Sequence, residues 1–399
     1  MYLNEIRKAQ ENIKDIINKT PLLHSSIFST INNCSVYMKC ENLQITGAYK
    51  IRGALNKIRT LSEEERSMGV VCSSAGNHAQ GVAYAAKLLG VNSTIVMPKS
   101  TPYLKVQSTK ELGGNVVLHG NCYDDAFLKA KSIEMENNSV FIHPFNDINV
   151  ICGQGTIALE IFEDLKDVDI IICPIGGGGL ISGISLAAKE LNPNIKIIGV
   201  QAEGANAMEQ SFKNGKLVSL NSVNTIADGI AVKCPGELTY NIIKDYIDDI
   251  VTVSDKEIAE AFLILCEKHK LLAEASGAAS LAALKKLDLN GKKVVSIISG
   301  GNIDMLTISS LINDGLVKRG RLFGFSVELP DTPGQLQEIS KILSELNANV
   351  VQLEHNQFKA SNRLKNVLLE VTVETNGIEH IESIKSALNK NGFKIIQMY

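Results

Sequence analysis

From about residue 69 the chain alternates short apolar runs with helical patterns, and no other feature constrains its fold as strongly. GVVC (69–72), STIVMP (93–98), NVVLHG (115–120) and SVFIHP (139–144) have the composition of strands. Helical patterns run through HAQGVAYAAKLLG, near 102–112 and over 122–136. A second set begins with a helix at 153–165. The strands VDIIICPI (168–175), IKIIGVQ (195–201) and VVSIIS (294–299) follow, with helices over LISGISLAAKEL and near 236–247, 255–270 and 275–287. Short apolar strands separated by helices predict parallel sheets covered on both faces. The expected class is α/β: a small parallel-sheet lobe at about 45–150 inserted in a larger one, together spanning 1–318.

After KRGR (318–321) the pattern changes. LFGFSVELP alternates with period two, PGQLQEISKILSELN places Leu336, Ile339, Ile342, Leu343 and Leu346 on one helix face, and NVVQLEHN and NVLLEVTVE are strands. EHIESIKSALNKNG and FKIIQM complete a βαββαβ order, so a small α+β domain is expected at 322–399.

Composition narrows the partners. The formal charge of −3, with no long basic run, argues against nucleic acid and anionic membrane. The first twenty residues carry charges throughout and do not resemble a secretory signal, and no apolar run approaches the ~18 residues of a membrane span. The eight cysteines form no CxxC pair, which fits free thiols in a reducing cytoplasm better than a zinc or disulfide framework.

CPIGGGGLISG (173–183) places four glycines between a buried strand and a helix. Such a turn exposes backbone N–H groups at a helix N-terminus, where the dipole favours an anion, most often phosphate. A flexible linker or a close helix–strand contact is the plainer alternative. GxGxxG fits 176–181 only if Ile181 replaces the last glycine, and GxxxxGK[ST] is absent. A single phosphate suits pyridoxal phosphate, which also needs a lysine for its Schiff base. ENLQITGAYKIRGA (41–54) offers Lys50, although most lysines are simply solvated. SSAGNHAQG (73–81) brings Ser74, Gly76 and Asn77 to a helix start suited to a carboxylate, or to an ordinary cap. SIISGGN (296–302) presents Ser299 to a ring nitrogen, or is a glycine turn.

These four segments, in this order, resemble the threonine dehydratase (threonine ammonia-lyase) branch of the fold-type II pyridoxal-phosphate enzymes, over nearly the whole chain. The resemblance implies a cytoplasmic lyase of amino-acid metabolism, including isoleucine biosynthesis. It would deaminate L-threonine to 2-oxobutanoate and ammonia, with L-serine to pyruvate as a side activity. It implies that Lys50 carries the cofactor and removes the α-proton, with Ala48 standing where serine or glycine is usual. Asn77 would meet the phenolic oxygen. Gly176, Gly177, Gly178, Gly179 and the Leu180 N–H would hold the phosphate. Ser299 would face the pyridine nitrogen and Glu274 would lie near the ring. Ser74, Ala75, Gly76 and Asn77 would take the substrate carboxylate. Glu203, Ala207 and Glu209 align with a cation site for Mg²⁺ or a monovalent ion, with Glu209 in place of an aspartate. Racemases of this branch place a serine before the GNH glycine; Ala75 stands there and cannot accept a proton. The tail resembles an ACT domain, with DTPGQL (331–336) as its first turn and Gly334 open to a ligand or partner backbone. Effectors of such domains sit where two copies meet. A homo-oligomer (dimer or tetramer) and isoleucine are therefore implied, with a tail used only for assembly as the alternative. A non-catalytic amino-acid sensor is the rival of a different class.

Overall fold

The computed structural model describes residues 2–362 and 364–399. The chain divides into two compact units, Met1–Ile303 and Asp304–Tyr399.

Among its described residues the first unit contains ten strands: β1 (Leu22–Ser25), β2 (Ser35–Cys40), β3 (Val70–Ser73), β4 (Ser93–Met97), β5 (Asn115–Leu118), β6 (Val140–Phe141), β7 (Ile170–Pro174), β8 (Lys196–Ala202), β9 (Asp249–Val253) and β10 (Lys293–Ile298). The small lobe is a parallel sheet in the order β5-β4-β3-β6. The large lobe has the order β1-β2-β10-β7-β8-β9. Its strands are parallel except β1, which pairs antiparallel with β2. The large sheet is thus mixed, where the apolar alternation had suggested a wholly parallel one. β1 (LLHS) is an edge strand with two exposed residues, so it carries no continuous apolar run. β2 hides a lysine, Lys39, in the core. β9 (DIVTV) is only partly buried. Each lacks the signature that marks the central strands.

β7 sits centrally, between β10 and β8, and every residue of IIICP is buried. The Gly179–Leu191 helix follows it and is buried continuously from Gly179 to Ala188. It packs on the Ile148–Asp164 helix, which in turn packs on the Lys50–Arg59 helix. That middle helix starts ahead of the expected residue 153 because Asp147 caps it, accepting from Asn149 N and Val150 N at 2.8 and 3.1 Å. Glycines set the helix spacing. A Cβ on Gly153 would lie 2.6 Å from Arg52 O, and one on Gly155 would lie 2.7 Å from Gly183 O. The frame between Lys50 and the glycine loop is therefore held at backbone contact. Ile157, Ile171, Ile184 and Ile197 fill the large-lobe core, and Ile51, Leu55, Val82 and Ile95 fill the small one.

The second unit opens with a helix the sequence did not announce, Met305–Lys318, capped by Asp304 (Thr307 N to Oδ1, 2.9 Å). Four antiparallel strands follow: β11 (Leu322–Pro330), β12 (Asn349–Asn356), β13 (Asn366–Glu374) and β14 (Ile395–Gln397), in the order β12-β13-β11-β14. With the helices Gln335–Glu345 and Ile378–Lys390 they give the expected βαββαβ order. Phe323, Phe325, Val327 and Leu329 alternate into its core against Ile339, Leu343 and Ile384. Leu336, expected on the same face, lies in the first helical turn and stays exposed. Among the described residues no helix is long and apolar enough to cross a membrane.

Candidate active site

The four sequence segments meet. Lys50 is the first residue of the Lys50–Arg59 helix, and its Nζ donates to Pro144 O at 2.8 Å. The next residue, Phe145, lies against the glycine loop. A Cβ on Gly177 would sit 2.3 Å from Phe145 Cδ1, and one on Gly179 would sit 2.9 Å from Phe145 Cα. Tyr49 N donates to Ser299 O at 3.1 Å, and Ala48 bridges Gly300. A Cβ on Gly300 would lie 2.8 Å from Glu274 Oε1 and 3.1 Å from Asn77 Nδ2. Lys50, Asn77, the glycine loop, Glu274 and Ser299 therefore share one cleft.

The glycines have a second cause beyond the anion that the sequence suggested. Their missing side chains would point into protein. Gly178 has φ +95°, and its Cβ would meet Ile243 Cδ1, Met208 Cε and Thr239 Cβ at 2.8–2.9 Å. Thr239 Oγ1 also donates to Gly177 O at 2.6 Å, which clamps the loop from below. The opposite requirement concerns the N–H groups. Those of Gly176, Gly177, Gly178, Gly179 and Leu180 find no acceptor among the described residues, and they lie at the N-terminus of a thirteen-residue helix. Gly178→Val is thus expected to weaken phosphate retention and also to destabilise the fold by about 2–5 kcal/mol, from a positive φ and overpacking together. A thermal melt of the cofactor-free protein checks this; an unchanged Tm would remove the packing role.

Ser74 does not cap its helix. Gly76 is the N-cap residue, and Ser74 Oγ instead accepts from Gly76 N at 3.3 Å. The N–H groups of Ala75, Asn77 and His78 are left without acceptors among the described residues, at a second helix N-terminus. A Cβ on Gly76 would meet nothing within 4 Å, so the loop faces open space. Two such N-termini, one per lobe, suit two anions.

Electrostatics favour a reactive amine. Removal from water pulls Lys50 down to about 8, although the Glu274 carboxylate acts to raise it. Burial raises Glu274, against hydrogen bonds from Asn77 Nδ2 (2.9 and 3.0 Å) and Ser276 Oγ (3.1 Å). Burial, with Lys50 nearby, takes His78 down to about 3, and burial takes His143 to about 4, so neither imidazole competes for protons near neutrality. Ser299 is 3% exposed, and no hydrogen bond of its Oγ is seen among the described residues. An unpartnered hydroxyl, an amine near neutrality and a ring of free N–H donors fit pyridoxal phosphate: Ser299 for the ring nitrogen, Lys50 for the aldehyde carbon, Gly176 to Leu180 for the phosphate.

The cation residues are placed differently. Glu203 is exposed and pairs with Lys286 at 3.6 Å; Glu209 is nearly buried and pairs with Lys213; Ala207 is buried. Among the described residues no three His, Cys, Asp or Glu side chains gather to hold a metal.

Sequence reasoning passed over the support beneath Lys50. Two residues on, Arg52 is wholly buried. It donates to Glu41 (Nε–Oε2 2.8 Å, Nη2–Oε1 2.8 Å) and to Glu160 (Nη1–Oε1 2.6 Å, Nη2–Oε2 3.0 Å). Lys39 Nζ reaches Glu160 Oε2 at 2.5 Å and Thr20 O at 2.7 Å. Two cations and two carboxylates thus cancel inside the core, tying β2, the lysine helix and the Ile148–Asp164 helix together. An arginine inside the KIRGAL helix, otherwise apolar on that side, was the available signal.

The chain belongs to the family of pyridoxal-phosphate dependent enzymes, whose pattern it matches over residues 13–300. It is 48% identical over 394 residues to an L-threonine ammonia-lyase of Thermotoga maritima, covering 98% of each chain. Among solved structures it is similar to the processed form of threonine deaminase isoform 2 from Solanum lycopersicum (TM-score 0.76, 37% identity, 78% of this chain and 86% of that one). It is similar too to maize serine racemase (TM-score 0.75, 38% identity, 80% and 98%).

Proposed function

We infer that the protein is a pyridoxal-phosphate-dependent ammonia-lyase. It deaminates L-threonine to 2-oxobutanoate and ammonia, and L-serine to pyruvate more slowly. Residues 1–318 carry catalysis and 322–399 regulation. The supporting observation is the pairing of one amine, Lys50, drawn down to about 8, with a non-titrating Ala75 at the start of the facing helix.

Pyridoxal phosphate, when bound, supplies the electron sink that makes the substrate α-proton acidic. The chain supplies the rest. Lys50 Nζ takes and holds that proton, since an amine near neutrality is both basic enough to accept it and free enough to be present unprotonated. The N–H groups of Ala75 and Asn77, with Ser74 Oγ, fix the substrate carboxylate and so orient the α-carbon. When the cofactor is bound, Asn77 Nδ2 would donate to its phenolic oxygen, and the N–H groups of Gly176 to Leu180 would anchor its phosphate. Ser299 offers the ring nitrogen a neutral hydroxyl, which favours loss of the β-hydroxyl over proton return. Glu274 steadies Asn77.

Likeness to a serine racemase gives the second reading its weight. Racemisation needs a base on each face, and Ala75 provides none on the second. With L-serine, pyruvate is expected to exceed D-serine by at least about tenfold; predominant D-serine would overturn the assignment.

The second unit is read as an ACT-like module that binds an amino-acid effector, isoleucine first, where two copies of a homo-oligomer meet. Its β12 edge strand is exposed from Asn349 to His355, which suits such pairing. Isoleucine is expected to inhibit the full chain and to leave a chain ending at Lys318 unaffected; an equal response in both would remove the regulatory role. A cation held by Glu203, Ala207 and Glu209 belongs to this reading too, and its entry displaces Lys286 and Lys213 from the two carboxylates. The same reading places the enzyme in the cytoplasm, in amino-acid metabolism.

A further inference from the structure

Asn302 closes the SGGN segment after β10. Its Nδ2 lies 2.7 Å from Thr46 O, 2.8 Å from Asn77 Oδ1 and 3.1 Å from Gln80 Oε1. These contacts link the lysine segment, the first turn of the Asn77–Leu88 helix and the end of the large-lobe sheet. Gly47 makes room for the hub: with φ +71°, a Cβ there would lie 2.4 Å from Asn302 Oδ1.

The direction of the hydrogen bonds follows from chemistry. Thr46 presents a backbone carbonyl, which only accepts, so Asn302 must turn its NH₂ that way. The atom of Asn77 that faces this NH₂ must then accept, and it is Oδ1. The other end of the Asn77 amide is therefore the NH₂, which meets the Glu274 carboxylate at 2.9 and 3.0 Å. An amide has two nearly isosteric orientations, and only one leaves a donor free for the cofactor. The Glu274 carboxylate selects this orientation at the NH₂ end, and Asn302 selects it at the Oδ1 end.

We propose that Asn302 is a positioning residue that, together with Glu274 at the other end, holds the Asn77 amide with its NH₂ toward the cofactor, and so sets the donor available to the phenolic oxygen. This rests on the reading of Asn77 as the cofactor contact. Asn302→Asp keeps the shape and removes the NH₂, so Asn77 Oδ1 meets a carboxylate at one end while Glu274 faces the other, and the amide is driven out of its position. The Asn77 donor is then displaced from the phenolate, and a hydrogen bond to a charged group is lost.

The test uses full-length protein reconstituted with pyridoxal phosphate, as wild type, Asn302→Asp, Asn302→Ala, Asn77→Ala and the Asn302→Asp/Asn77→Ala double variant. The readouts are the pH dependence of the visible absorption band, the dissociation constant of pyridoxal phosphate, and the Tm of the cofactor-free form. Both Asn302 variants are expected to shift the band in the same direction as Asn77→Ala and to weaken cofactor binding about tenfold. Their cofactor-free Tm should stay near wild type, because Asn302 is an exposed side chain. The double variant should be no worse than Asn77→Ala, because one residue acts through the other. Independent, additive losses, or Asn302 variants with a wild-type spectrum beside a shifted Asn77→Ala, would overturn the proposal. An unshifted Asn77→Ala would instead overturn the cofactor contact on which it rests.

Discussion

Lys50→Ala is expected to abolish the visible band of the reconstituted protein and to lower threonine turnover roughly 10³-fold or more. The size follows from the double duty assigned to one amine, which both anchors the cofactor and moves the α-proton. The fold should survive, since among the described residues Lys50 Nζ hydrogen-bonds Pro144 O alone. A sign-specific corollary separates this from general damage. The folded amine titrates near 8 and the ordinary value is 10.5. Between those values the unfolded chain binds more protons, so the stability of the cofactor-free wild type gains a rising contribution with pH across that window. Lys50→Ala should lose that rise. Denaturant titrations at several pH values check it, and an unchanged slope would contradict the burial of the amine.

Arg52→Ala is expected to destabilise the cofactor-free protein by about 3–5 kcal/mol, because it leaves Glu41 buried without its ion-pair partner and Glu160 with Lys39 alone. Marginal stability makes that loss close to unfolding. Arg52→Lys keeps the charge and loses the forked geometry that bridges two carboxylates, so it should recover only part of the loss. Chemical denaturation gives both numbers; a cost under about 1 kcal/mol for Arg52→Ala would show that the network does not hold the lysine helix.

The sequence carried the central strands because buried parallel strands have no polar face to disguise them. IIICP and VVSII are legible as written. β1, β2 and β9 are not, since an edge strand, a strand with a neutralised lysine and a half-exposed strand each break the apolar run. The Met305–Lys318 helix was hidden by position, falling between two patterns that each seemed complete. At the site, segments that offer backbone donors were readable through their glycines and helix starts. The supporting groups were not: Arg52 finds Glu41 and Glu160 from 11 and 108 residues away, and Asn302 finds Asn77 from 225. Only the fold brings such partners together. The glycine loop shows the mixed case. Its sequence pointed to an approaching anion, and the structure adds Phe145, Ile243 and Thr239 as neighbours that already forbid side chains.

The most direct test is to supply L-threonine to the full chain reconstituted with pyridoxal phosphate and to quantify 2-oxobutanoate and ammonia together. Equal amounts of the two, formed catalytically and absent with Lys50→Ala, are the expected result. A protein that takes up the cofactor through Lys50 yet releases neither product would contradict the lyase assignment.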